Sequence, residues 1–493
     1  MRSERGTYLD ALQQVLAPGN ALRLPALVLL SLAAAVTIGL GVALVGPVLA
    51  VAVLGAGISV LVLVTDPLYL LWCALAVIVL LPFATLPMDI GVTPTFLEIG
   101  MIGAAAITLV RLAQRRQGSL VVSPVGWPLL LFIGLGLTSF VLGLAHAWPS
   151  ATSLRRFADI VLSLGFFYLV LNLLAETPTL MRTYRLLLLM GGAAALIGIA
   201  LYVLPRGLAE RLLERLGLFG YPTAGVLRYI EDDPAQAMRA IGTSVDPNVF
   251  GGLLAFMGGL VAPQLFLPKH GWRRWLAWVL MGAVGLALLL TFSRGSMFGL
   301  AVALSVLGLL RHRKLLVLLA AAAILVLVLP PTQAYVLHFL EGARGEDLAT
   351  QMRFGEYKDA FLLISRYPWF GVGFTGVPDV DIYLGVSSVY LLVAEEMGVV
   401  GLSLFLAALA SFFAYSWPRA RLARGRDAEL EALILGAQTA VLTGAVAGVL
   451  DHYLFNLAFP HAAALLWGIV AIGTAGARLA QSRFASGIAD GLA

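Results

Sequence analysis

Long apolar runs alternate with short polar interruptions along the chain, and dividing it wherever Gly, Pro or charge breaks a run leaves fourteen segments near membrane-crossing length. They cover 25–44, 47–64, 68–86, 95–112, 125–146, 153–175, 180–204, 245–266, 274–292, 295–310, 314–331, 388–416, 430–450 and 454–475. Only Gly46 and Pro47 interrupt 25–64, so thirteen spans is the alternative count. The pattern predicts an all-α, polytopic transmembrane helical bundle built as one integral membrane domain over residues 1–493. Two polar stretches, 205–242 and 332–387, are long enough to stand outside it. In the first, Leu208, Leu212 and Leu216 recur at helical spacing while Arg211 and Arg215 take another face, which predicts a helix lying along the membrane surface. In the second, Phe354, Tyr357, Phe361 and Ile364 predict a similar helix, which Tyr367-Pro368-Trp369-Phe370-Gly371-Val372-Gly373 ends in a tight turn.

Composition agrees: 60% of the 493 residues are hydrophobic, 12% are charged, and mean hydropathy is +0.94. A soluble enzyme or nucleic-acid binder needs roughly twice that charge, which leaves a multi-pass protein of the lipid bilayer. The formal net charge of +5 then reads as loop bias rather than affinity for nucleic acid. With both termini cytoplasmic, twenty basic residues fall inside and twelve outside, the outer ones gathered mainly in the two long loops. Residues 1–23 are mixed polar and show no cleavable signal. The single cysteine, Cys73, excludes an intramolecular disulfide.

Eleven of the twelve outer basic residues are Arg, the side chain whose planar fork suits oxyanions. Arg294, in Ser293-Arg294-Gly295-Ser296, sits between two apolar runs, where it either snorkels to the headgroups or meets an anionic ligand. Arg155 and Arg156 open the sixth span, and they either join Arg294 in a clamp or pair locally with Asp159. Arg239 precedes Asp246-Pro247-Asn248, a turn and N-terminal cap for the eighth span. Asp379 and Asp381 have the spacing of a cation-chelating pair, but two acids in a polar loop are ordinarily just solvated. The six histidines show no metal-ligand spacing, and no phosphate loop or Gly-x-Ser-x-Gly elbow appears, so neither a metal nor another cofactor is expected.

Taken in order, RAIGTSVDPNVF (239–250), SRGS (293–296), RFGEYKDAFLLISRYPWFGVGF (353–374) and YLLVAEEMGVVGL (390–402) resemble the O-antigen ligase and O-antigen polymerase family of bacterial membrane glycosyltransferases. The resemblance implies a metal-independent GT-C type enzyme of the bacterial inner membrane, with its active site facing outward. Its donor is a polyprenyl-pyrophosphate-linked glycan and its acceptor a sugar hydroxyl. Arg156 and Arg294, then Arg239 and Arg353, are the expected pyrophosphate ligands. The family commonly carries His-Asn before the Tyr-Leu element, where this chain has Ser387 and Ser388, so Asp379, Asp381, Glu395 and His452 stand as candidate catalytic substitutes. Polymerase is the favoured activity, ligase the alternative, and a flippase for lipid-linked sugars a reading of another class.

Overall fold

A computed structural model describes residues 66–86, 93–113, 120–268, 274–328, 344–345, 348–375 and 386–485. Nearly all belong to one compact unit, Leu70–Ala493; of the other, Met1–Tyr69, only residues 66–69 are described. Fourteen helices are described: α1 Pro67–Leu80, α2 Phe96–Ala113, α3 Gly126–Gly143, α4 Ala151–Leu173, α5 Thr177–Val203, α6 Arg206–Glu214, α7 Pro247–Val261, α8 Arg274–Thr291, α9 Arg294–Leu310, α10 Lys314–Val328, α11 Leu348–Arg366, α12 Val389–Ala423, α13 Ala428–Ala447 and α14 Pro460–Phe484. Strands β1 (Arg228–Tyr229) and β2 (Met238–Arg239) form a two-stranded antiparallel ribbon. Among the described residues nine helices, counting α7 with its 3-10 extension to Phe266, are long and apolar enough to cross a membrane, and α1, α9 and α10 are shorter apolar ones. Each of the twelve predicted spans within the described residues finds its helix; the two at 25–44 and 47–64 lie outside them.

The bundle is centred on α7, α13 and α14, which are buried along most of their length, while α10 buries only Leu315. Small residues explain the centre, because helices in lipid associate by close packing rather than by hydrophobic exclusion. A Cβ on Gly259 of α7 would stand 2.7 Å from the Ala440 backbone of α13, one on Gly473 of α14 2.7 Å from Ala437 Cβ, and one on Gly299 of α9 2.6 Å from the Thr443 carbonyl.

Both amphipathic helices form, each packing one face on the protein and leaving much of its apolar stripe exposed, as a helix lying along a membrane surface does. On α6, Ala209 and Leu213 are buried and Leu213 packs with Val226 and Ile241, while Leu208 and Leu212 stay exposed. On α11, Ala360 and Leu363 are buried and Tyr357 packs on the cluster of Ala360, Val386 and Leu392, leaving Phe354 and Phe361 exposed. The stripe read from hydrophobicity is the face left for lipid, and smaller or adjacent positions make the contact with protein.

The last span also starts later than the apolar pattern suggests, at Pro460 rather than 454. Residues 451–459 are irregular, with Tyr453, Leu454 and Phe455 nearly inaccessible. That segment is where the polar residues of the bundle converge.

Candidate functional site

The stretch 239–248 is a piece of backbone engineering around one guanidinium. Gly242 and Val245 have positive φ, of 52° and 61°, so the chain turns sharply and lets the Asp246 side chain cap α7, accepting from Asn248 N at 2.7 Å and Val249 N at 3.0 Å. Asn248 then turns its Oδ1 to Arg239 Nη2 at 2.8 Å, and Arg239 Nε donates to the Thr291 carbonyl at 2.8 Å, at the end of α8. The expected cap is thus present, and it also fixes Arg239 beside the start of α9. There Ser293 and Ser296 hydroxyls lie 2.9 Å apart, Ser296 also bonds the buried Tyr453 phenol, and half-buried Arg294 opens the helix without a side-chain cap.

From the other side α12 begins at Val389, whose N–H reaches both the Gly448 and Asp451 carbonyls, at 2.8 and 3.0 Å. Its N-terminus carries no side-chain cap either. Ser387 N donates to Glu356 Oε2 of α11 at 2.9 Å, so the two residues standing where the family has His-Asn are held by α11. The N-termini of α7, α9 and α12 therefore all border residues 448–453, and each contributes partial positive charge there.

At the meeting point are Asp451 and His452. Asp451 Oδ1 accepts the His452 backbone N–H at 2.9 Å and lies 3.6 Å from its ring Nδ1, which is buried and otherwise without a partner. Nε2 is left as the exposed ring nitrogen. Burial, then the neighbouring Asp246 charge, pushes the Asp451 carboxyl up to about 7, against the opposing pull of Arg353 and Arg239. Burial also pushes the His452 imidazole below its ordinary value, with Arg353 acting in the same sense and the Glu356 and Asp246 charges opposing. Burial thus favours the neutral imidazole of His452, beside a carboxyl raised to about 7 and in the field of Arg353.

A pH prediction follows. If the carboxylate of Asp451 steadies the imidazolium that forms when His452 takes a proton, turnover rises with pH through about 7, where Asp451 ionises, and Asp451→Asn removes that limb. A profile that is flat from roughly pH 5.5 to 8.5 in the parent protein would contradict it. Because folding raises this pKa, the stability linked to Asp451 has the opposite sign: it is complete below the ordinary carboxylate value and lost as pH rises through about 7.

The other expected site residues are placed as follows. Arg239 and Arg353 both bear on Asp451, so they join the cluster. Arg156 is exposed on α4 and makes no hydrogen bond or ion pair among the described residues. Its neighbour Arg155 is held by Glu98 of α2, Nε to Oε1 and Nη2 to Oε2 both at 3.0 Å, so the local pair foreseen with Asp159 is chiefly a pair with another helix. Glu395 is 1% exposed with neither carboxylate oxygen hydrogen-bonded. Asp379 and Asp381 lie outside the described residues. The pairing of Asp451 with Asp246 was missed in the sequence; its one trace is an Asp-His step at the end of an otherwise apolar run.

The rest of the motif region is structural. Helix α12 is broken at Gly398, with φ 67° and ψ −173°, and the turn after α11 inserts into the break. Val372 and Gly373 N–H groups donate to the Glu395 and Glu396 carbonyls at 2.8 and 3.0 Å, while Val399 N–H donates to the Pro368 carbonyl at 2.8 Å. Backbone groups freed by a broken membrane helix must find partners, and here the loop supplies them. Gly371 and Gly373 have positive φ, and a Cβ on either would lie within 2.5 Å of backbone. Ser139 and Thr375 complete the attachment to α3, donating to the Phe370 and Gly143 carbonyls at 3.1 and 2.7 Å.

The model of the family described as O-antigen ligase (Wzy_C) matches residues 276–406, from α8 through α9 and α11 to just beyond the break in α12. No curated protein matches the chain. The chain is a multi-pass membrane protein, and its residues 276–406 are similar to the family described as O-antigen ligase.

Proposed function

We propose that the chain transfers glycan from a polyprenyl-pyrophosphate donor to a sugar hydroxyl at the outer face of the bacterial plasma membrane, adding repeat units to a growing chain, with both termini cytoplasmic. The observation that carries the proposal is the neutral His452 beside Asp451, within the fields of Arg239 and Arg353 and of three helix N-termini. The acceptor hydroxyl oxygen attacks the anomeric carbon, the bond from that carbon to the pyrophosphate oxygen breaks, and the hydroxyl proton passes to Nε2 of His452. The leaving group keeps the bonding electrons, so negative charge grows on the pyrophosphate. Fixed guanidiniums and uncapped helix ends stabilise that charge without reorganising, and this supports Arg239, Arg294 and Arg353 as its ligands. Arg156, exposed on α4, is proposed only as an outer contact for the donor.

The test is to incubate purified protein with a polyprenyl-pyrophosphate-linked oligosaccharide and resolve the products by mass. A ladder of repeat units supports a polymerase, whereas a single transfer to an added lipid or protein acceptor supports a ligase. Removing one charge-stabilising donor typically costs ~10²–10³-fold in rate. Arg353→Ala and Arg294→Ala are expected to lose at least that much while keeping the parent melting temperature. Normal turnover by both would sink the assignment of the pyrophosphate site.

A further inference from the structure

At the end of the bundle opposite His452, helices α9, α12 and α13 enclose a cavity of about 310 Å³. Leu307, Phe413, Trp417 and Leu442 give it a mainly apolar wall. Three arginines stand at its rim, Arg311, Arg421 and Arg424. Arg311 is already committed: its Nε and Nη2 meet the two oxygens of Glu431 at 2.6 and 3.1 Å, and that pair is neutral as a unit. Arg421 and Arg424 are exposed, and among the described residues neither side chain has an acidic partner. The Arg421 guanidinium lies 5.2 Å from the centre of the Trp417 ring, which draws it over the cavity mouth. Inside, Gln438 is 5% exposed and spends its Nε2 on Ser416 Oγ at 2.8 Å, which leaves its Oε1 buried in the cavity lining without a partner.

A space equal to about ten waters at ~30 Å³ each, with apolar walls and one stranded acceptor, is poorly filled by water. Two uncompensated guanidiniums at its mouth call for an anion, and the cavity opens on a membrane-spanning bundle. We propose that it holds one acyl chain of an anionic glycerophospholipid, with the lipid phosphate between Arg421 and Arg424. Basic pockets between helices at the membrane surface are the usual seat of such headgroups. The occupant is a structural lipid rather than the glycan donor, because Arg421 and Arg424 stand at the C-terminal end of α12, whereas the His452 cluster borders its N-terminus at Val389. The site stands whether or not the chain transfers glycan.

The experiment uses the full chain in detergent, stripped of lipid and titrated in native mass spectrometry with phosphatidylglycerol or with phosphatidylcholine of the same chains. One phosphatidylglycerol is expected to bind roughly 10–30-fold more tightly than phosphatidylcholine. Arg421→Gln/Arg424→Gln should erase that preference, and both positions are exposed, so folding does not depend on them. Val306→Trp, which fills the cavity and keeps both arginines, should weaken binding of both lipids. Equal affinity for the two lipids in the parent, an unchanged preference in the double variant, or displacement of phosphatidylglycerol by an equal concentration of polyprenyl phosphate would each overturn the proposal.

Discussion

Glycan transfer by the His452→Ala protein is expected to fall by ~10²–10⁴-fold, the range a positioned general base contributes, with KM for the lipid-linked donor nearly unchanged. The separation matters because donor binding is assigned to the arginines and acceptor activation to the imidazole. His452 lies beside Asp451 and in the fields of Glu356 and Arg353, so two segments of the chain, α11 and the loop before α14, bear on it. A kcat that survives the substitution within threefold would remove His452 from the mechanism and return attention to Ser387 and Ser388, whose neighbourhood Glu356 shares. The cheap control is folding: His452 is in an irregular segment and its ring makes no hydrogen bond, so the variant's melting temperature should stay close to that of the parent.

The second large effect is on assembly. Gly398→Ala places a Cβ 2.2 Å from the Trp369 carbonyl, at a φ/ψ combination that is nearly exclusive to Gly, and the atoms it meets are backbone, which has no rotamer to yield. Either the break in α12 closes, which strands the Val372 and Gly373 N–H groups and the Pro368 carbonyl, or the 368–373 turn leaves it, which strands the Glu395 and Glu396 carbonyls. A loss above ~3 kcal/mol is expected, seen as a melting transition lowered by many degrees or as failure to recover monodisperse protein. Gly285→Ala is the matched control, since nothing lies within 4 Å of its Cβ and it sits in the middle of α8; it should be neutral or slightly stabilising. Equal stability of the two variants would show that the insertion does not hold α12 together.

How much of this was legible beforehand follows from what each signal reports. Span positions were, because twenty apolar residues in a row have few other uses, and α2, α4 and α8 begin or end within two residues of the pattern. The Asp246 cap was legible too, since the cap and the residues it serves are neighbours in sequence. At α6 and α11 periodicity reports the apolar stripe but not the positions that pack on protein, Leu213 and Ala360. Arg294 and Arg353 drew notice as arginines in apolar or aromatic surroundings, whereas Asp451 gains its meaning only from Asp246, 205 residues earlier (451 minus 246), a contact no local pattern encodes. The Gly-x-Gly of 371–373 resembled a turn and is one; that it mends a second helix is a tertiary fact.

The mended break has a mechanical consequence. Helix α11 carries Arg353 and Glu356 toward His452, and its far end is sewn into the middle of α12 by backbone hydrogen bonds, while Glu356 ties it again at Ser387. Pinned at two points along one neighbour, α11 has no free axis about which to swing. If the proposed transfer holds, admission and release of a bulky lipid-anchored donor then have to be timed by a segment other than α11.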